Sequence, residues 1–169
     1  MGHRMLKFII SLAALLVALT TQVHAGMVTL PDGSIYVGEL QGSVPNGFGT
    51  VYVDDAEAYT GDWLLGKKSG FGREITSSSG QSYLGDFVDG LRHGFGRYRY
   101  NSGDDFIYIG GYRQGRFHGF GKYETPSIGY EGGWYEHKKH GTGKLTNSLG
   151  RSDWTQHQNG NRKIFSEIF

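Results

Sequence analysis

Three histidines, His93, His118 and His140, fall at the same point of a recurring phrase, and imidazole is a common zinc ligand. Their regular recurrence works against that chemistry. Equivalent residues of stacked repeats lie about 10 Å apart, whereas zinc holds every nitrogen at about 2.0–2.1 Å. Asn46 and Ser69 fill the same column in the first two copies, which suits a residue hydrogen-bonded to turn backbone. The chain has no cysteine, so it offers no thiolate. Ser77, Ser78 and Ser79, the pair Asp54 and Asp55, and the pair Asp104 and Asp105 fall in connecting turns, and neither aspartate pair sits in the D-x-[DN]-x-[DN]-G loop that calcium takes. No G-x-S-x-G, P-loop or dinucleotide fingerprint occurs, and each G-x-G lacks the following helix that binds phosphate. The expectation is a protein that is not an enzyme and uses no metal or cofactor. An envelope enzyme acting on glycans, which needs two carboxylates about 5–9.5 Å apart, ranks last.

Two sets of residues offer binding chemistry instead. Lys67, Lys68, Arg92, Arg116, Lys138 and Lys139 all follow the first apolar stretch of their copy of the phrase. A stack of such copies would line them along one turn edge, able to meet anionic lipid headgroups at up to about 1 kcal/mol per charge near a membrane surface. Glu39, Asp62 and Asp86 fall instead within the first strands. The second set is an aromatic ladder of Tyr59 and Trp63, Tyr83 and Phe87, Tyr108 and Tyr112, Tyr130 and Trp134. Packing is its first role, and on an open sheet face it becomes a groove for an extended peptide or a sugar.

These residues are positioned by a phrase written five times, from Tyr36, Tyr59, Tyr83, Tyr108 and Tyr130, at intervals of 23, 24, 25 and 22 residues. A period in the 20 to 50 range signals supersecondary units stacked in one dimension. Tyr59, Gly61 and Trp63 alternate with Thr60 and Asp62, the period of a half-buried strand. Gly66 breaks the pattern, and Gly70-Phe71-Gly72 opens a second run from Arg73 to Thr76, so each copy reads as a β-hairpin. Gly38, Gly61, Gly85, Gly110 and Gly132 follow their tyrosine by two residues, leaving bare backbone for rings from neighbouring strands; each ring buries roughly 150–250 Å². Gly42, Gly66, Gly90 and Gly115 are expected at positive φ in the turns. The fold class is all-β: a single elongated antiparallel sheet of stacked hairpins, advancing about 10 Å per repeat.

The phrase Y-x-G-x-W-x-x-G-x-x-H-G-x-G resembles the MORN repeat, the membrane occupation and recognition nexus motif. The likeness runs from about Gly33 to Gly143, with the first and fifth copies departing from it: Leu40 replaces the aromatic in the first, and His137 stands at the turn glycine of the fifth. Trp154 and Gly160 mark a degenerate sixth repeat, followed by a cap of Ile164, Phe165, Ile168 and Phe169 over the last strand edge. The resemblance implies a sheet of hairpins serving as a binding or scaffold module.

Residues 1–25 follow another grammar. His3, Arg4 and Lys7 precede an apolar run from Phe8 to Leu19, then Val23-His24-Ala25. This is the pattern of a helical secretory signal cleaved after Ala25, with a retained anchor as the rival, and residues 26–169 then form the repeat domain. Loss of Arg4 and Lys7 leaves 15 basic residues against 16 acidic, a balance that excludes nucleic acid as an expected partner. The expected setting is the periplasm or cell exterior, and the expected partner a protein or envelope component. Anionic phospholipid, bound through the turn edge, is the alternative.

Overall fold

The structure is a computed structural model that describes residues 22–76, 80–100 and 105–163. No helix occurs among them. The predicted signal segment and the cap residues Ile164, Phe165, Ile168 and Phe169 lie outside the described residues, as do Ser77, Ser78, Ser79 and Asp104.

The first of two units, Met1–Lys67, contains β1 (Val23–Thr29), β2 (Ile35–Gln41), β3 (Val44–Val53) and β4 (Ala56–Leu64). Each pairs antiparallel with its sequence neighbour. Strand β1 already includes the residues ahead of the predicted cleavage point, with Val23, His24 and Ala25 opposite Gln41, Leu40 and Glu39. Asp54 and Asp55 form the turn between β3 and β4, at φ 47° and 62°.

The second unit, Lys68–Phe169, takes in β5 (Lys67–Ile75) from its second residue onward. It continues with β6 (Ser82–Val88), β7 (Leu91–Tyr100), β8 (Phe106–Arg113), β9 (Arg116–Glu124), β10 (Ile128–Tyr135), β11 (Lys138–Asn147), β12 (Ser152–Gln158) and β13 (Asn161–Arg162). Every neighbouring pair is again antiparallel.

At the hairpin tips, Leu65-Gly66, Asp89-Gly90, Gln114-Gly115, Glu136-His137 and Asn159-Gly160 all have positive φ at both positions, the two-residue turn that matches strand twist. Gly42, Gly66, Gly90 and Gly115 take φ of 64°, 80°, 81° and 78° as expected, and His137 takes the glycine position at 66°. The turn amides reach back to the preceding hairpin: Gly90 N–H donates to the Lys68 carbonyl and Gly115 N–H to that of Arg92, each at 2.8 Å.

The return strands depart from the reading of the sequence. They begin directly after the two turn residues, so Lys67 through Gly72 is strand and not turn. The G-x-G that looked like an opening signal is a bulge inside the strand. Between β6 and β7 the register runs Gly85 to Gly96 and then Asp86 to His93, leaving Gly94 and Phe95 unmatched on that side. Both are matched by the following strand, opposite Tyr112 and Gly111.

One face of each unit carries the core. Tyr36, Tyr59, Tyr83, Tyr108 and Tyr130 are buried, and each hydroxyl donates to the carbonyl three residues on, as in Tyr36 to Glu39 at 2.7 Å and Tyr83 to Asp86 at 2.9 Å. The glycine that a ring covers most closely is in its own hairpin, not a neighbour. A Cβ at Gly49, Gly96, Gly121 or Gly143 would overlap the ring of Tyr36, Tyr83, Tyr108 or Tyr130. Edge-to-face pairs link successive hairpins: Tyr83 to Tyr112 at 4.9 Å, Tyr108 to Trp134 at 5.3 Å and Tyr130 to His157 at 5.4 Å. His157 thus takes the aromatic position of the sixth repeat. Trp154, read with Gly160 as the mark of that repeat, lies on the opposite face and is 74% exposed.

Candidate functional site

The six basic residues do not form one edge. Antiparallel pairing puts Arg92 opposite the core residue Phe87 and Leu91 opposite Val88, so alternate residues of the return strand point to opposite faces. Lys68, Arg92 and Lys139 point to the core face. The Arg92 guanidinium lies over the rings of Tyr83, at 5.1 Å, and Tyr98, at 4.9 Å; Lys139 Nζ lies 4.8 Å from the Tyr130 ring centre. At the same position, Phe117 stacks on Tyr108 at 3.7 Å. These side chains are lids on the tyrosines, and burial lowers the Lys139 pKa. Arg116 and Lys138 point to the other face; Arg116 reaches Glu136 at 3.2 Å. Lys67, with the same parity, belongs to the first unit.

Glu74 completes the lid. It meets Lys68 at 2.5 Å and Arg92 at 2.7 Å. Burial pushes its pKa up, but the two cations prevail and hold the carboxyl below its ordinary value. The charge of Lys68 and Arg92 is therefore committed inside the protein.

The aromatic ladder is likewise committed. Tyr59, Trp63, Tyr83, Phe87, Tyr108, Tyr112, Tyr130 and Trp134 are all buried, with Trp134 the most exposed at 7%, so they make the core and not an open groove. Burial raises the hydroxyl pKa of Tyr83, Tyr108 and Tyr112. Trp134 Nε1–H donates to the Gly121 carbonyl at 3.0 Å, whereas the Tyr112 hydroxyl is buried with no partner among the described residues.

Exposed rings occur on the face opposite the core. Phe48, Phe71, Phe95 and Phe120, the central residues of the G-x-G bulges, are 55–66% exposed. In the sequence their flanking glycines give them the look of turn boundaries, which hides them. Their recurrence at one phase of the period was the available signal.

The bulge, which projects a phenylalanine in the first four repeats and Thr142 in the fifth, is closed in two ways. In the first and third repeats, a carboxylate accepts its amide: Glu39 Oε2 from Phe48 N–H at 3.0 Å, and Asp86 Oδ2 from Phe95 N–H at 2.9 Å. This is the role of acids read as mere strand charge. In the fourth and fifth repeats Gly111 and Gly133 stand at that position, and a Cβ on either would overlap the carbonyl of His118 or His140.

Among the turn-column residues, Asn46 accepts Leu65 N–H at 3.1 Å. His118 and His140 flank Tyr135, at 5.4 and 5.7 Å. Among the described residues, no group of His, Cys, Asp and Glu is arranged to hold a metal.

The MORN repeat model matches residues 59–81, 83–105, 108–127 and 130–148, half of the chain. The chain belongs to the MORN repeat family. Such repeats generally serve protein or membrane binding. The matched segments leave out the β2–β3 hairpin, which has the same tyrosine hydroxyl bond, ring-covered glycine and clasped bulge. The search of curated proteins returned no match.

Proposed function

We propose that this MORN repeat chain is a non-enzymatic binding or scaffold module, exported to the periplasm or cell exterior, that holds a protein or another envelope component. One observation carries the reading: four of the five repeats expose a phenylalanine on the face away from the core, and recurring exposed rings mark interaction surfaces. Export rests on the apolar run from Phe8 to Leu19 and the Val23-His24-Ala25 motif. Cleavage after Ala25 would leave β1 paired from Gly26, opposite Gly38, to Thr29, opposite Ile35.

The test is to express the full chain in cells, purify the exported form, and present it to detergent-solubilised envelope. A mass beginning at Gly26 and a component retained at physiological salt are expected. An uncut chain refutes the processing step, and an envelope extract from which nothing is retained refutes the binding role.

A second reading, recognition of an anionic lipid surface, rests on the outward Arg116 and Lys138. It predicts sedimentation with anionic vesicles that weakens as salt rises; absent or salt-insensitive sedimentation rejects it.

A further inference from the structure

The outward face of β7 to β11 carries two series with the same step. Phe95 on β7 and Phe120 on β9 are 62% and 66% exposed. Phe95 is paired with Gly111 and Phe120 with Gly133, so a strip of bare backbone borders each ring. In the next row the register runs Arg97, Ile109, Lys122, Glu131, Lys144, giving one cation on every second strand. The row beyond adds Arg99 and Glu124.

Across these two rows four basic residues, Arg97, Arg99, Lys122 and Lys144, stand against two acids, Glu124, which pairs with Lys122 at 2.6 Å, and Glu131, a surplus of two positive charges. Asp86, the clasp of the third repeat, has no carboxylate counterpart at Gly111 or Gly133. Two hollows lie along the same face. One of about 180 Å³ is lined in part by Leu84, Arg97 and Arg99, and one of about 600 Å³ in part by Lys122, Ile128, Glu131 and Lys144.

Rings and cations therefore recur every second strand, about 9.6 Å apart. A polyproline II helix repeats every three residues, about 9.3 Å, and it is recognised by aromatic-lined grooves because its conformation is already ordered. A polypeptide laid across the strands in that conformation would meet a cation at each of three successive turns and a ring at the first two, with Thr142 at the third. An extended β-strand ligand has a two-residue side-chain period of about 6.6 Å and loses this match within one repeat.

We propose that the outward face of β7 to β11 binds an acidic polypeptide segment in the polyproline II conformation, with proline rings in the glycine-floored slots beside Phe95 and Phe120 and carboxylates opposite Arg97, Lys122 and Lys144. This rests on the binding-module reading and names its partner class and surface. The carboxylate series supplies selection against neutral proline-rich segments, and the slots supply selection against flexible acidic ones.

The test uses the full chain and fluorescein-labelled (Glu-Pro-Pro)5, with (Glu-Gly-Gly)5, (Gln-Pro-Pro)5 and phosphatidylglycerol vesicles as comparators, read by anisotropy and co-sedimentation. Saturable binding of (Glu-Pro-Pro)5 at least tenfold tighter than either other peptide is expected. The double substitution Arg97→Glu with Lys122→Glu should weaken it at least tenfold, and so should Phe95→Ser with Phe120→Ser. Lys138→Glu, at the turn end, should change it less than twofold. Should the phenylalanine variant lose its β-sheet circular dichroism, the charge-reversal pair decides. Absence of saturable binding, equal binding of (Glu-Gly-Gly)5, or binding to vesicles but no peptide overturns the proposal. An envelope component that is retained while every peptide fails, and whose retention survives both double substitutions, sinks this inference and leaves the binding-module reading standing.

Discussion

The β2–β3 and β6–β7 hairpins close their bulges with a carboxylate, while β8–β9 and β10–β11 close theirs by bringing two stretches of backbone together at a glycine. The two solutions hold the same core. Tyr36 and Tyr83 donate to the carbonyl of an acidic residue, Tyr108 and Tyr130 to that of Gly111 and Gly133, and all four cover a return-strand glycine. What differs is the outward face. The clasp places an acid beside the exposed ring, whereas the glycine closure leaves bare backbone at that position. Core geometry and surface chemistry are thus specified by different residues of one repeat.

The largest effect that separates the two closures is expected from Gly111→Ala. The new methyl would overlap a backbone carbonyl, which moves less readily than a side chain, and overpacking of this kind costs about 3 kcal/mol. Urea unfolding checks it, and a loss below about 1 kcal/mol would show that the bulge relaxes freely. Replacing Asp86 by Ala should cost less, about 1.5 kcal/mol, because Phe95 N–H loses a charge-assisted acceptor but remains close to water. Should Asp86→Ala prove the costlier change, the carboxylate is the stronger closure and the comparison is inverted.

The lid supplies a pH-dependent counterpart. Glu74 has a folded-state pKa below its ordinary value, so its contribution is complete above about 4.3 and is lost as pH falls through the depressed folded-state value. Glu74→Gln should flatten the acid limb of stability against pH below about 4.3, with little change in its slope at neutral pH. An unchanged acid limb would assign the charge cluster no part in acid unfolding. The smallest effect concerns Tyr112. Its buried hydroxyl lacks a partner among the described residues, so Tyr112→Phe should be neutral or stabilising by up to about 1 kcal/mol, whereas Tyr108→Phe, which removes a bond to Gly111, should cost about 1 kcal/mol. Equal losses in thermal unfolding would mean that Tyr112 finds a partner in solution.

Much of the hairpin architecture was legible because its signals are local. Tyr59, Gly61 and Trp63 share a parity that only a strand gives, and Gly66, Gly90 and Gly115 sit where only a left-handed turn fits. The basic turn edge was misread for one reason. Treating Gly70-Phe71-Gly72 and its counterparts as turn boundaries removed the first half of every return strand, and with it the alternation that sends Arg92 inward and Leu91 outward. The length of the tip turn contains the missing information. A two-residue turn at Asp89-Gly90 puts Leu91 opposite Val88 and Arg92 opposite Phe87, which already identifies Arg92 as a lid. The double-residue bulge was less accessible, since Gly94 and Phe95 skip one neighbouring strand and match the other, a pattern that no single-strand period encodes.

The tip turns themselves have a consequence for how the chain can diverge. From Leu65-Gly66 to Asn159-Gly160 every tip is two residues long with both in the left-handed region, so an added residue there would slip a register and swap the two faces. Connections at the other end of the hairpins differ in length, with Asp54-Asp55 alone between β3 and β4 but six residues, 76 to 81, between β5 and β6. New loops can therefore be grafted at one margin only, which makes that margin the natural seat of variation and the tips the ruler that keeps every hairpin in phase.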